Sequence, residues 1–147
     1  MDASAPPPTW RFELPHTTAA VPMARCLVRT ALASLDTGPC EDTAELLTAE
    51  LVANAVEHTA GTGPLELVLE LRETGCHVEV HDPLPARPGE LIAPGPVEPP
   101  DPWQEHGRGL MLIRTLSAAC GHRPTDRGKA VWFRLPRVPA QRRRTAV

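Results

Sequence analysis

Two alternating segments joined by a tight turn constrain this fold more than any other feature. In residues 64–73, PLELVLELRE, leucine occupies every second position from Leu65, and residues 76–82, CHVEVHD, alternate in the same way. Successive side chains of a strand point to opposite faces, so this pattern predicts two half-buried strands. The intervening Thr-Gly favours a hairpin with one apolar face. Such a hairpin needs a second layer to cover its leucines.

Helical periodicity supplies that layer. Residues 17–35 predict a helix in which Met23, Leu27, Ala31 and Leu35 recur at every fourth position. Two more helices are predicted over about 41–59 and 107–120, and two more strands over 9–15 and 128–136. The order β-αα-ββ-lid-α-ββ predicts an α+β fold. We expect a two-layer α/β sandwich, with three helices on one face of a mixed, mostly antiparallel sheet of about five strands.

The 147-residue chain is expected to consist of one domain with a short segment on either side. We expect residues 1–8 to be a disordered, proline-rich lead, residues 9–136 one domain, and residues 137–147 a basic polar tail. Residues 83–106 contain eight prolines and no usable period. A loop of this length inside a compact domain is expected to serve a function, here as a lid.

Composition excludes several classes of function. The net charge of −3 gives no basic field for nucleic acid, and no apolar run is long enough to cross a membrane. The four cysteines are widely spaced and lack the spacing of zinc ligands. We therefore expect a cytoplasmic, soluble protein with reduced thiols.

Polar residues border the apolar stripe of the second helix. Glu50, Asn54 and Glu57 fall within about 60° of one another at 100° per residue. A solvated helix face is one interpretation. The other is a site for a hard cation and water, because a carboxamide oxygen can bind Mg²⁺ and a carboxylate can accept a proton.

Two further features follow the hairpin. Asp82 ends the second strand on the face of Val78 and Val80, where a carboxylate suits an exocyclic amino donor, although an Asp before Pro also starts turns. In HGRGL, residues 106–110, two glycines open a helix whose N–H groups can approach an anion; a hinge of the lid is the alternative. His77, Glu79 and His81 are expected on an exposed sheet face that points away from the helices.

The order of these motifs resembles the GHKL, or Bergerat-fold, ATP-binding domains, and more closely the actinobacterial anti-sigma-factor serine/threonine kinases. LLTAELVANAVEHT resembles the N-box of that family, VEVHDPLPARP its first glycine box, and EHGRGLMLI its second. GKAVWFRL resembles its last strand, and the Ala-Arg pair at 24–25 is also similar. The resemblance covers about residues 10–136.

The resemblance implies roles for individual residues. Glu50 would act as, or orient, the catalytic base, Asn54 would hold Mg²⁺, and Arg25 would contact protein partners. The implied ATP-binding residues are Asn54, His58, Asp82, His106, Gly107, Arg108, Gly109 and Leu110. Residues 83–106 would form the ATP lid.

The resemblance also implies a function. The implied protein is a kinase that phosphorylates a small anti-anti-sigma protein of the STAS type and sequesters a sigma factor. Its implied cofactors are ATP and Mg²⁺, and a homodimer is a common assembly of such kinases. Asp82 lacks the glycines that often follow it in this family. That departure favours an alternative, a degenerate protein-binding regulator that acts by sequestration alone. The catalytic fragment of a sensor histidine kinase is a weaker option, because no helices with a phosphoacceptor histidine precede the first predicted strand.

Overall fold

A computed structural model describes residues 8–33, 41–58, 63–83 and 106–136. Its elements in chain order are β1 Thr9–Leu14, α1 Ala20–Ala33, α2 Glu41–His58, β2 Leu65–Arg72, β3 Gly75–Asp82, α3 His106–Leu116, β4 Ala119–Pro124 and β5 Lys129–Pro136. The predicted lead, the tail and lid residues 84–105 lie outside the described residues. Among the described helices, none has the length and apolarity needed to span a bilayer.

The strands form one sheet in the order β1-β2-β3-β5-β4. The four pairings among the described strands are all antiparallel, which confirms the expectation of a mostly antiparallel sheet. In the β1–β2 register Leu14 lies opposite Leu65 and Phe12 opposite Leu67. The predicted alternation therefore places the apolar residues of both strands on one face.

The helices cover that face. The core contains the four leucines of β2, Val78 and Val80 of β3, and Phe133 of β5, all buried. Each of the three helices contributes side chains to this core, among them Val28 of α1, Leu51 of α2 and Ile113 of α3. The two-layer sandwich with three helices on one side of the sheet is confirmed.

Two details of the predicted helices are wrong. The third helix ends at Leu116 rather than at residue 120, and Ala119–Pro124 is an edge strand, β4. In α1 the buried stripe runs through Ala20, Ala24 and Val28, and it leaves Met23 42% exposed. The buried stripe and the predicted one have the same four-residue spacing and are offset by one position, about 100° around the helix, so spacing alone could not decide which of them faces the core.

The outer face of the sheet is polar, but its centre is not exposed. His77 and Glu79 are only 6% and 8% exposed, which corrects the expectation that they lie open to solvent. Glu79 accepts hydrogen bonds from His77 at 2.9 Å, His81 at 2.6 Å and Arg123 at 3.1 Å. These neighbours shield the carboxylate, although the described elements form no second layer over this face.

The same contacts orient the ring of His77. Arg134 donates from Nε to Nδ1 of His77 at 2.9 Å. Since a guanidinium is only a donor, Nδ1 is the accepting nitrogen, and Nε2 carries the proton that goes to Glu79. The His77 ring stacks on Trp132 with ring centroids 5.3 Å apart.

Glu79→Gln should destabilise the fold at neutral pH. Burial alone raises the pKa of Glu79, but the hydrogen bonds from His77, His81 and Arg123 outweigh it and hold the pKa well below its usual 4.5. Because the folded state holds the ionised form, this stabilisation is complete above about pH 4.5 and declines as the pH falls below it. We expect a loss of about 1–2 kcal/mol at pH 7, since Arg123 is half exposed and partly screened.

Urea unfolding of both proteins at pH 7 and pH 4 measures this difference. The gap between wild type and Glu79→Gln should be smaller at the lower pH. Glu66→Gln is the control, because Glu66 pairs with Arg11 at an exposed position of the same face. An equal gap at both pH values would contradict the assignment of an ionised Glu79.

Candidate functional site

Helix α2 carries the two central residues of the predicted site. It begins with Glu41 and Asp42, whose charges favour the N-terminus of a helix. Its buried face runs through Leu47 and Leu51, so that face is held against the sheet. Glu50 and Asn54 lie beside this stripe and are half-buried. They occupy the border of the core, as predicted, rather than its solvated side.

Helix α2 also touches every other element that bears a predicted site residue. It packs between α1 and α3 and contacts β3 and β5. Asp82 is the last residue of β3 and is 3% exposed. The structure therefore places a buried carboxylate at the end of a strand that lies under the helix of Asn54.

Lys129 was not singled out from the sequence. It lies directly opposite Asp82 in the β3–β5 register and is 5% exposed. Directly opposite residues of an antiparallel pair share a face. Both ionisable side chains thus lie on the helix-covered face, and the only lysine of the chain is at this end of the sheet.

Two cavities of about 460 Å³ border the predicted residues. The first reaches Asp82, but its described lining comes from the sheet end and the β4–β5 turn, including Glu13, His81 and Arg127. The second lies between α1 and α2, and its lining is Val21, Arg25, Asp42, Glu45, Leu46, Ala49, Glu50 and Ala53. The described lining thus joins Glu50 to Arg25 but does not bring Asn54 and Asp82 into one cavity.

Several predicted nucleotide contacts cannot be placed by their side chains. His58 is the last residue of α2, and His106, Gly107, Arg108, Gly109 and Leu110 form the first turn of α3. Their side chains lie outside the described part of the chain, as do residues 84–105 of the predicted lid. The helix begins at the paired glycines, as the sequence predicts.

Arg25 lies in an ion-pair cluster that links α1 to α2. Its Nε donates to Oε1 of Glu45 at 3.1 Å. Arg29 donates to both oxygens of the same carboxylate, at 3.0 and 2.6 Å. The Glu45 side chain is 11% exposed, whereas those of Arg25 and Arg29 are 52% and 57% exposed.

The cluster fixes the charge of Glu45. The hydrogen bond from Arg29 is the largest influence and lowers the pKa of Glu45 from 4.5 to about 2, with Arg25 acting in the same direction against the effect of burial. The sequence contained one signal of the cluster, the i, i+4 spacing of the two arginines on one helix face. Their shared partner is on another helix and had no local signal.

The five-stranded antiparallel sheet with three helices on one face is the architecture that the sequence predicted for a GHKL-type sandwich. A family model described as the histidine kinase-like ATPase domain matches residues 14–135. The chain belongs to this family, and the match implies ATP binding. No curated protein matches the sequence.

Proposed function

We propose that the protein is an ATP-dependent serine/threonine kinase of the anti-sigma-factor type, which acts in the cytoplasm. It would phosphorylate a small anti-anti-sigma protein of the STAS type and sequester a sigma factor when that antagonist is unavailable. The observation that supports this proposal best is the shared cavity of Glu50 and Arg25. A kinase needs its catalytic base beside the acceptor hydroxyl. An acceptor segment that enters this cavity would contact both the proposed base, Glu50, and the proposed partner-binding residue, Arg25.

Asn54 is proposed to hold Mg²⁺ through its carboxamide oxygen. Within the described residues no three His, Cys, Asp or Glu side chains converge on a metal position. Mg²⁺ in nucleotide sites commonly has one or two protein ligands, with waters and phosphate oxygens completing its shell. A single half-buried oxygen ligand on α2 therefore fits this ion. When bound with ATP, Mg²⁺ neutralises phosphate charge.

Titration calorimetry with Mg-ATP tests the proposal. We expect micromolar binding that is lost in EDTA, and Asn54→Ala should weaken it at least about tenfold, or about 1.4 kcal/mol. Thr43→Ala is a matched control, because Thr43 lies on the same face of α2 about three turns earlier. Absence of binding at millimolar ATP would reject the kinase and leave the sequestering regulator.

The degenerate regulator remains the second candidate function. Its support is the run of Pro83, Leu84, Pro85 and Ala86 after Asp82, which contains no glycine. Glycine lets a ligand approach the backbone closely, so this run disfavours tight nucleotide binding. Under this alternative, Asn54→Ala would capture a sigma factor as well as wild type does.

A further inference from the structure

Lys129 is a buried basic residue beside Asp82. It is the only lysine of the chain, and it begins β5 directly opposite the last residue of β3, Asp82. Both residues are buried on the face that the helices cover. A lysine is seldom fully buried unless its ammonium group has polar partners. The fold therefore holds a basic and an acidic side chain next to each other at one end of the sheet.

The pair lies where the apolar inner face of the sheet ends. In the next row of that face, Val80 lies opposite Val131, and both are buried. Beyond the pair is a cavity of about 460 Å³ whose lining contains Asp82 and residues 125–127 of the turn that leads into Lys129. A ligand that reaches Asp82 from this cavity would therefore lie next to Lys129.

The two side chains together complement one edge of adenine. A carboxylate accepts hydrogen bonds, whereas an ammonium group has three N–H donors and no acceptor. Adenine presents the reverse arrangement, because its 6-amino group is a donor and the neighbouring ring nitrogens are acceptors. Asp82 suits the amino group, as expected from the sequence, and Lys129 suits a ring nitrogen beside it.

The backbone after Asp82 is poor in alternative donors. Pro83 and Pro85 have no N–H group, and no glycine follows Asp82 that would let a base approach the chain closely. A donor for a ring nitrogen is therefore needed from another element. Lys129 is in place for this contact, since the β3–β5 register puts it directly opposite the carboxylate.

We propose that Lys129 is a specificity-determining residue of the nucleotide site, which donates a hydrogen bond to the adenine ring nitrogen next to the amino group bound by Asp82. This inference rests on the proposed role of Asp82 in ATP binding. Two paired strands hold the donor and the acceptor in register before the nucleotide arrives, which lowers the entropic cost of binding. The competing interpretation is a pair that only stabilises the strand ends.

Calorimetric titration with ATP and two analogues separates these interpretations. In 1-deaza-ATP and 7-deaza-ATP a C–H group replaces N1 or N7 of the base. Wild type should bind one of the two analogues about tenfold more weakly than ATP, the effect of a charge-assisted hydrogen bond. Lys129→Met keeps the length of the side chain but has no donor. It should bind ATP about tenfold more weakly, and its affinities for ATP and that analogue should agree within about twofold.

Two further variants complete the experiment. Lys129→Arg retains N–H donors and should keep the preference for ATP over the same analogue. Arg11→Met is the matched control, because it removes one positive charge from an exposed position on the outer sheet face. It should bind all three nucleotides as wild type does. Thermal melting of each variant reports whether it folds, and the analogue series on wild type tests the contact without any substitution.

The outcomes separate the possible failures. Equal affinity of wild type for all three nucleotides would reject the inference alone. Equal weakening of all three in Lys129→Met, with a lower melting temperature, would assign the pair to stability only. No ATP binding by wild type would reject the nucleotide role of Asp82 and this inference with it. The expected preference without phosphoryl transfer to any acceptor would reject the kinase and support this inference.

Discussion

Glu50→Gln is expected to abolish phosphoryl transfer and leave ATP bound. The amide retains the size of the side chain but cannot accept the proton of the acceptor hydroxyl. Base catalysis contributes about 10²–10⁴-fold to such reactions, so transfer should fall by that factor. Glu50 is half-buried on α2, one turn before Asn54, so the substitution leaves the buried stripe of the helix unchanged.

The measurement is transfer of labelled phosphate to candidate anti-anti-sigma proteins, together with Mg-ATP titration of the same variant. Glu73→Gln is the control, because Glu73 lies in the exposed turn between β2 and β3. Transfer at the wild-type rate would remove Glu50 from the catalytic role. Loss of ATP binding would instead give Glu50 a part in holding the nucleotide.

Gly75→Ala should destabilise the protein severely. Gly75 has a φ of +148°, a conformation that other residues rarely adopt. An added Cβ would lie 1.8 Å from the carbonyl oxygen of Leu135 on the neighbouring strand β5. Backbone strain and overpacking together are expected to cost about 3–5 kcal/mol. The β2–β3 turn and the β3–β5 pairing would both have to shift.

Urea unfolding measures this effect, and Gly63→Ala provides the control. At Gly63 the nearest atom to an added Cβ is Cγ of Pro83 at 3.5 Å, an ordinary van der Waals contact. Gly63→Ala should therefore change the free energy of unfolding by less than about 1 kcal/mol. Similar losses at the two glycines would contradict the steric explanation.

Local patterns in the sequence were sufficient for most of the architecture. The leucine alternation in β2 and the valines of β3 identified the hairpin and its buried face. The predicted order included a strand before β5, but its residues were not assigned because ACGHRP has no alternating apolar pattern; pairing with β5 holds β4 in the sheet. The other edge strand, β1, was predicted because Trp10, Phe12 and Leu14 alternate with polar residues, so periodicity detects an edge strand only where its apolar residues alternate.

In the candidate site, too, local features were predicted from the sequence and contacts between distant elements were not. The one-turn spacing of Glu50 and Asn54 beside the buried stripe, the strand-end position of Asp82 and the helix start at residues 106–109 followed from sequence. Each depends on contacts within a few residues. The burial of Lys129 opposite Asp82 and the capture of Glu45 by two arginines did not follow, because each joins elements far apart in the chain.

The outer sheet face shows most clearly the difference between what the sequence predicts and what the tertiary structure decides. From sequence alone, His77, Glu79 and His81 alternate with core residues, which determined the face they occupy. Only the tertiary structure decided that Glu79 is buried, because Arg123 of β4 contacts its carboxylate and shields it. Periodicity determines the direction of a side chain from its own strand, whereas burial depends on which neighbours the folded chain brings beside it.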